Sequence, residues 1–296
     1  MTNLTKSFKT TLIVLLALCL LGVLLTCVFG ANTFATLGKG QQLVYNVTEQ
    51  ADNYDNVIAD VKSFLKEKGA KTITVQTCKT DYNDEVYSLV FNFKAKNAID
   101  STVTVAGKQC AVSNIDNQNT VKVVKLGAVA CASAIVVIFG YLALRFLKNN
   151  WLANSLGYVV VVLLNIFATY GLVQICGLFG YQYDANIMTA CSYVVLLTVA
   201  LYVVFTALVR VGQTEKKLNA IEAIEYAQKT AFASVTLAAV VLFVGFVVAA
   251  IAGGAMFTIV CLPFALATAV CYVSYLFVAP YMFKLLLSNT EQSVNN

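Results

Sequence analysis

The chain has 296 residues, of which 59% are hydrophobic and only 12% charged, against about 45–50% and about 25% in soluble proteins. That balance, with a mean hydropathy of +0.76, excludes an ordinary soluble globular protein. The absence of histidine removes His-based catalytic triads, imidazole zinc sites and His proton switches. The nine cysteines show no CxxC spacing, which argues against a thiolate metal site or a thioredoxin-like redox pair. The net charge of +5 is spread without a dense Lys/Arg stripe or aromatic–basic interleaving, so no nucleic-acid partner is expected.

The apolar residues are clumped. No Asp, Glu, Lys or Arg occurs from Thr10 to Gly38, Leu126 to Leu144, Asn149 to Tyr183, Ala185 to Val209, or Thr230 to Phe283. Each run reaches the ~18 residues that mark a spanning helix, and the last has room for two. The first, Thr11–Phe29, follows Lys6 and Lys9; its long core reads as an uncleaved anchor rather than a signal peptide. Further spans are predicted at Leu126–Leu144, Leu156–Leu178, Ala185–Val209, Ala231–Ile251 and Phe257–Pro280, the last two parted by the turn Ala252-Gly253-Gly254-Ala255. The expectation is a polytopic α-helical protein with six transmembrane helices.

Orientation follows from the basic residues. Lys6, Lys9, Arg145, Lys148, Arg210, Lys216, Lys217, Lys229 and Lys284 all fall on one side, and the short loops of the other side, Phe179–Asp184 and Ala252–Met256, carry none. Short loops rich in Lys and Arg stay cytoplasmic, so both termini are expected in the cytoplasm, of a plasma (inner) membrane.

Between the first two spans lies a polar segment with 11 Lys and 10 acidic residues, read as a small folded extracytoplasmic domain. Val57, Ile58, Val61, Phe64 and Leu65 form one stripe of an amphipathic helix ending near Gly69. Gln42–Val47, Thr72–Gln76, Val86–Phe93 and, more weakly, Thr102–Val105 have extended character. The order β-α-β-β predicts an α+β sandwich. Cys78 and Cys110 are the only cysteines of this segment; in an oxidising compartment they are a candidate disulfide, with two free thiols as the alternative. The domains are thus 1–30 (tail and first span), 31–125 (extracytoplasmic), 126–285 (five further spans) and 286–296 (cytoplasmic tail).

This plan, with a run of ordered motifs, resembles SecF, the six-helix subunit of the bacterial protein-export accessory complex and half of an RND-type transporter. Tyr141-Leu-Ala-Leu-Arg145-Phe146 is similar to the family's exit from the second span. Leu164-Asn165-Ile-Phe-Ala-Thr169-Tyr-Gly171 is similar to its His-Asp-x-x-x-Thr-x-Gly stretch. Glu222-Ala-Ile followed by Lys229-Thr230-Ala-Phe-Ala-Ser234-Val-Thr236 enters the fifth span in the family's manner, and Gly253-Gly254 falls at its Gly-Gly turn. Tyr272-Val-Ser274-Tyr-Leu-Phe277-Val-Ala-Pro280 resembles its closing motif, and Thr36-Leu-Gly38-Lys-Gly40 is a remnant of its Asp-Phe-x-Gly-Gly entrance.

The resemblance implies an accessory subunit that assists export of unfolded polypeptides, with a SecD-like six-helix subunit and the SecYEG channel as partners and no cofactor. It also implies proton coupling through acids inside the membrane. Here the family's third-span acid is replaced by Asn165, and its fourth-span Asn-Asp pair falls near Val199-Ala200. What remains is polar and neutral: Asn165, Thr169 and Gln174 on the third span, and Ser192, Thr198, Tyr202 and Thr206 on the fourth. Asn165, Thr169, Thr198, Tyr202 and the cationic Lys229 are the candidate coupling path. The alternative for these stripes is helix packing, and for Lys229 snorkelling to the interface. Coupling is therefore expected to be weakened, lost or carried by the partner. An RND-like exporter of lipids or small apolar molecules and a non-transporting scaffold or sensor are the rival readings. With no His and no buried acid pair, the chain is not expected to be an enzyme. The stretch Thr214–Lys229 is predicted to be an amphipathic helix lying on the membrane surface.

Overall fold

The structure is a computed structural model describing residues 2–29, 40–46, 54–79, 86–95, 98–105, 107–115, 118–145, 151–179, 181, 183 and 186–284. Phe146, Lys148, Asp184, the entrance residues 36–39 and the tail 286–296 lie outside these. Its contacts divide the chain into two units: 33–123, and the membrane unit of residues 1–32 with 124–296.

In the first unit, β1 (Gln41–Asn46), β2 (Ala70–Lys79), β3 (Val86–Ala95), β4 (Thr102–Val105) and β5 (Lys108–Asn114) form one antiparallel sheet in the order β2-β3-β1-β5-β4. Helix α2 (Tyr54–Glu67) supplies Val61 and Leu65 to a core shared with Leu43, Leu89, Phe91, Phe93, Cys110 and Val112. The register explains the grouping: Leu43 sits opposite both Phe91 and Val112, and inward side chains recur every second residue. This is a two-layer α+β domain with one strand more than the sequence suggested. Strand β5 escaped because Lys108-Gln-Cys-Ala-Val-Ser-Asn114 offers only Cys110 and Val112 as inward residues. Gly107, at φ 77°, turns the β4–β5 hairpin through a region that disfavours a side chain.

The candidate disulfide is corrected here. Cys78 and Cys110 are both free. Cys78 lies on β2 and Cys110 on β5, three strands across the sheet. At ~4.8 Å per strand that is ~14 Å, twice the ~7 Å beyond which two Cα atoms cannot be bridged.

Among the described residues, the membrane unit contains six helices long and apolar enough to span: Phe8–Val28, Val121–Arg145, Ser155–Leu178, Ile187–Thr214, Ala220–Ala252 and Phe257–Lys284. They lie within α1 (Thr2–Phe29), α3 (Gln118–Arg145), α4 (Trp151–Leu178), α5 (Asn186–Thr214), α6 (Ala220–Ala252) and α7 (Gly254–Val273), the last continued by a π-turn, Ser274–Val278, and residues 279–284. The chain is a multi-pass membrane protein with a small antiparallel sheet domain between its first two spans.

Two local features shape this bundle. Pro263 sits inside α7, where its missing N–H leaves the carbonyl four residues earlier without a helical donor. That carbonyl, of Ile259, accepts from the Tyr181 hydroxyl at 2.7 Å. The predicted surface helix at 214–229 is also corrected. Asn219 caps α6, with its side chain accepting from the Glu222 backbone N–H at 2.9 Å and the Glu222 carboxylate accepting in return. From there the helix runs unbroken to Ala252. The apolar stripe Ala223, Ile224, Ala227 and Ala231 packs with Phe205, Val209, Tyr275 and Phe283. A capping box with no Gly or Pro between Asn219 and Gly245 leaves nothing to break the helix at the membrane boundary.

Candidate functional site

Three spans bring polar side chains together inside the apolar bundle. On α4, Asn165 is buried and donates from Nδ2 to Thr198 Oγ1 of α5 at 3.0 Å. Thr198 in turn meets the Cys271 thiol of α7 at 3.6 Å. Tyr202, one turn beyond Thr198 on the same face, is 1% exposed and stands edge-on to Tyr158 of α4, with centroids 6.0 Å apart. Tyr275 enters from the π-turn of the last span. Asn165, Thr198, Tyr202, Cys271 and Tyr275 all line a cavity of about 10 Å³, at the lower limit for one water molecule.

Several polar atoms of this seam have no hydrogen-bond partner among the described residues: Asn165 Oδ1, Thr169 Oγ1, and the hydroxyls of Tyr158, Tyr202, Ser274 and Tyr275. A buried polar group left unpaired costs about 1–3 kcal/mol, and three of these residues, Asn165, Tyr202 and Tyr275, border the cavity that is at the limit for one water. All groups of the seam are neutral. It can carry a hydrogen-bond chain, but it has no carboxylate to exchange a proton.

The candidate residues divide accordingly. Asn165 and Thr198 are directly bonded, Tyr202 shares their cavity, and Thr169 is buried one turn away on α4. Lys229 is exposed on α6 and lines no part of this cavity. Of the wider stripe, Thr206 turns back to its own helix, donating to the Tyr202 carbonyl at 3.0 Å. Ser192 likewise bonds the Met188 carbonyl and contacts Cys131. Gln174 belongs to a separate group, donating to the Tyr183 hydroxyl at 2.9 Å, which neighbours Tyr170 and, through it, Thr26 of α1.

Tyr158, Cys271, Ser274 and Tyr275 were missed in the sequence. Cys271 looked like a small hydrophobe. The available signal was the spacing of Thr268, Cys271 and Tyr275 along one face of the last span. Thr268 extends the same polar line, meeting the Tyr193 hydroxyl at 2.8 Å.

No protein-family model matches the chain, and no curated protein matches it in sequence. Among solved structures it is similar to SecDF in a super-membrane-facing form, with a TM-score of 0.66 and 16% identity over 98% of this chain and 39% of that one. It is also similar to SecDF from Thermus thermophilus, described as a translocon-associated membrane protein, with a TM-score of 0.60 and 14% identity over 95% of this chain and 38% of that one. The chain therefore spans about two-fifths of the length of the structures it matches. At such identities the likeness is one of fold, and it takes in both the six spans and the sheet domain. The chain is, in fold, a SecD/SecF-like protein.

Proposed function

We propose that the chain is a SecF-like accessory subunit of a Sec protein translocase, assisting export of unfolded polypeptides without enzymatic chemistry of its own. The observation that carries this reading is the match to SecDF over 98% of the chain, together with the translocon association stated for the Thermus protein. Its partners are a SecD-like six-helix subunit, supplying the complementary half, and the SecYEG channel. The nine basic residues of the short loops and tails support a plasma-membrane orientation with both termini cytoplasmic and the sheet domain outside.

The energetics differ from the coupling that the resemblance implies. A coupling group inside a membrane works because changing its charge biases two conformations. The seam around Asn165 has no such group, so proton coupling is weak, absent or carried by the partner half. The same neutrality favours a second reading, a non-transporting scaffold or sensor using the sheet domain for binding. Affinity purification from the native host in mild detergent separates the two. Recovery of a SecD-like six-helix protein, with or without SecYEG, is the expected result; recovery of the chain alone or with unrelated envelope proteins overturns the export reading.

A further inference from the structure

A second cavity, of about 80 Å³, opens at the basic ends of the spans, between Phe8 of α1, Ile221, Ile224 and Gln228 of α6, and Leu276, Pro280 and Lys284 of the last span. Its walls are built by specific local structure. Phe8 stacks on Tyr281 with centroids 3.4 Å apart. The π-turn at Ser274–Val278 presents Leu276 and Phe277, and Gln228 Nε2 donates to the Leu276 carbonyl at 2.9 Å. The lining amide is thus occupied and the remaining surface is mostly aliphatic and aromatic.

Size and charge select the occupant. The cavity is a groove open along one side; its volume, about half that of the ~150 Å³ cavity that holds a benzene ring, measures only the inserted part of an occupant, a few methylenes of an aliphatic chain whose remainder lies along the apolar spans. From Lys284 inward to Leu276 the cavity runs ~12 Å along the helix axis, starting at the level where charged side chains reappear. Lys284 and Glu225 stand at its lip. Lys9, next to Phe8, and Lys229, next to Gln228, are both exposed. Glu222, next to Ile221, is exposed as well, so three cations and two carboxylates border the apolar slot; the one positive charge in excess favours a single negative group at its mouth.

We propose that this cavity is a lipid site: part of one acyl chain of an anionic phospholipid inserts into it, and the phosphodiester lies against Lys284. The aliphatic slot contributes through apolar burial, and the lysines supply headgroup preference. The site does not depend on the export reading, and a chain acting as a scaffold would hold the same lipid.

The test is native mass spectrometry of the full chain released from detergent containing equimolar phosphatidylglycerol and phosphatidylcholine. The wild type is expected to retain a phosphatidylglycerol adduct in preference to phosphatidylcholine. Lys284→Gln, a change at the lip that alters no packing, should reduce that preference about fivefold. Ile221→Trp, which fills the slot from a partly exposed position, should abolish both adducts. Equal retention of the two lipids by the wild type overturns the proposal, as does a preference unchanged by Lys284→Gln. If the wild type binds no lipid but a chain truncated after Lys284 does, residues 285–296 are the occupant and the lipid reading is overturned.

Discussion

Asn165 occupies the middle of the bundle with one side-chain atom paired and the other not. Its contribution as a bridge between α4 and α5 is worth roughly 0.6 kcal/mol, the usual scale for such contacts in membranes. Asn165→Leu is therefore expected to lower thermal stability in detergent only slightly. Asn165→Asp should behave differently. A carboxyl group among the neutral groups of the seam brings a costly buried charge into the membrane; the variant is expected to lose clearly more stability than Asn165→Leu, as melting curves in detergent measure, the wild type serving as control. In the sheet domain, Cys110 is buried and its thiol pKa is raised, chiefly by burial. The domain should keep that stabilisation below about pH 9 and lose it as the thiol ionises. Maleimide should also modify the half-buried Cys78 before Cys110, and equal rates under native conditions would contradict the burial of Cys110.

Helices and strands were legible in the sequence to different degrees. The spans could be read because uncharged runs of this length have few other solutions, and α2 because its apolar stripe has one period. Strand β5 could not, since two inward residues make no visible alternation, and the sheet order that separates Cys78 from Cys110 is a long-range property absent from any local pattern. The unbroken α6 was hidden because a stripe that fits a membrane surface fits the side of α5 equally well. The α1–α4 crossing was also hidden: Gly22 lies against the backbone of Gly171, and a Cβ on Gly171 would overlap the Leu18 carbonyl. Gly171→Ala is expected to cost about 1–3 kcal/mol and to lower yield and thermal midpoint, whereas Gly245→Ala, where a Cβ meets nothing, should be neutral. Tyr181→Phe leaves the Ile259 carbonyl at the Pro263 break without its donor, and a loss of about 1–3 kcal/mol is expected; Tyr181→Phe combined with Pro263→Ala should recover part of it, because the helix regains its own N–H.

For the whole molecule, orientation is the property most directly checked. In a cysteine-free background, Ser101→Cys and Lys216→Cys each place a thiol at an exposed position, one in the sheet domain and one between α5 and α6. Membrane-impermeant maleimide added to intact cells should label the first and spare the second until the membrane is opened; the reverse pattern would invert the topology. The candidate site was half legible at this scale. The missing acids were plain in the sequence, but the convergence of α4, α5 and the π-turn on one small cavity depends on packing between distant segments. The uncharged interiors of the six spans have one more consequence. A charge moved through the membrane field gains or loses about 2.3 kcal/mol per 100 mV, and the charge-free runs within the spans carry none through the middle of the membrane. Rearrangements of these helices are therefore expected to give little gating current and little response to membrane voltage, the charges at the span ends being the ones left to move.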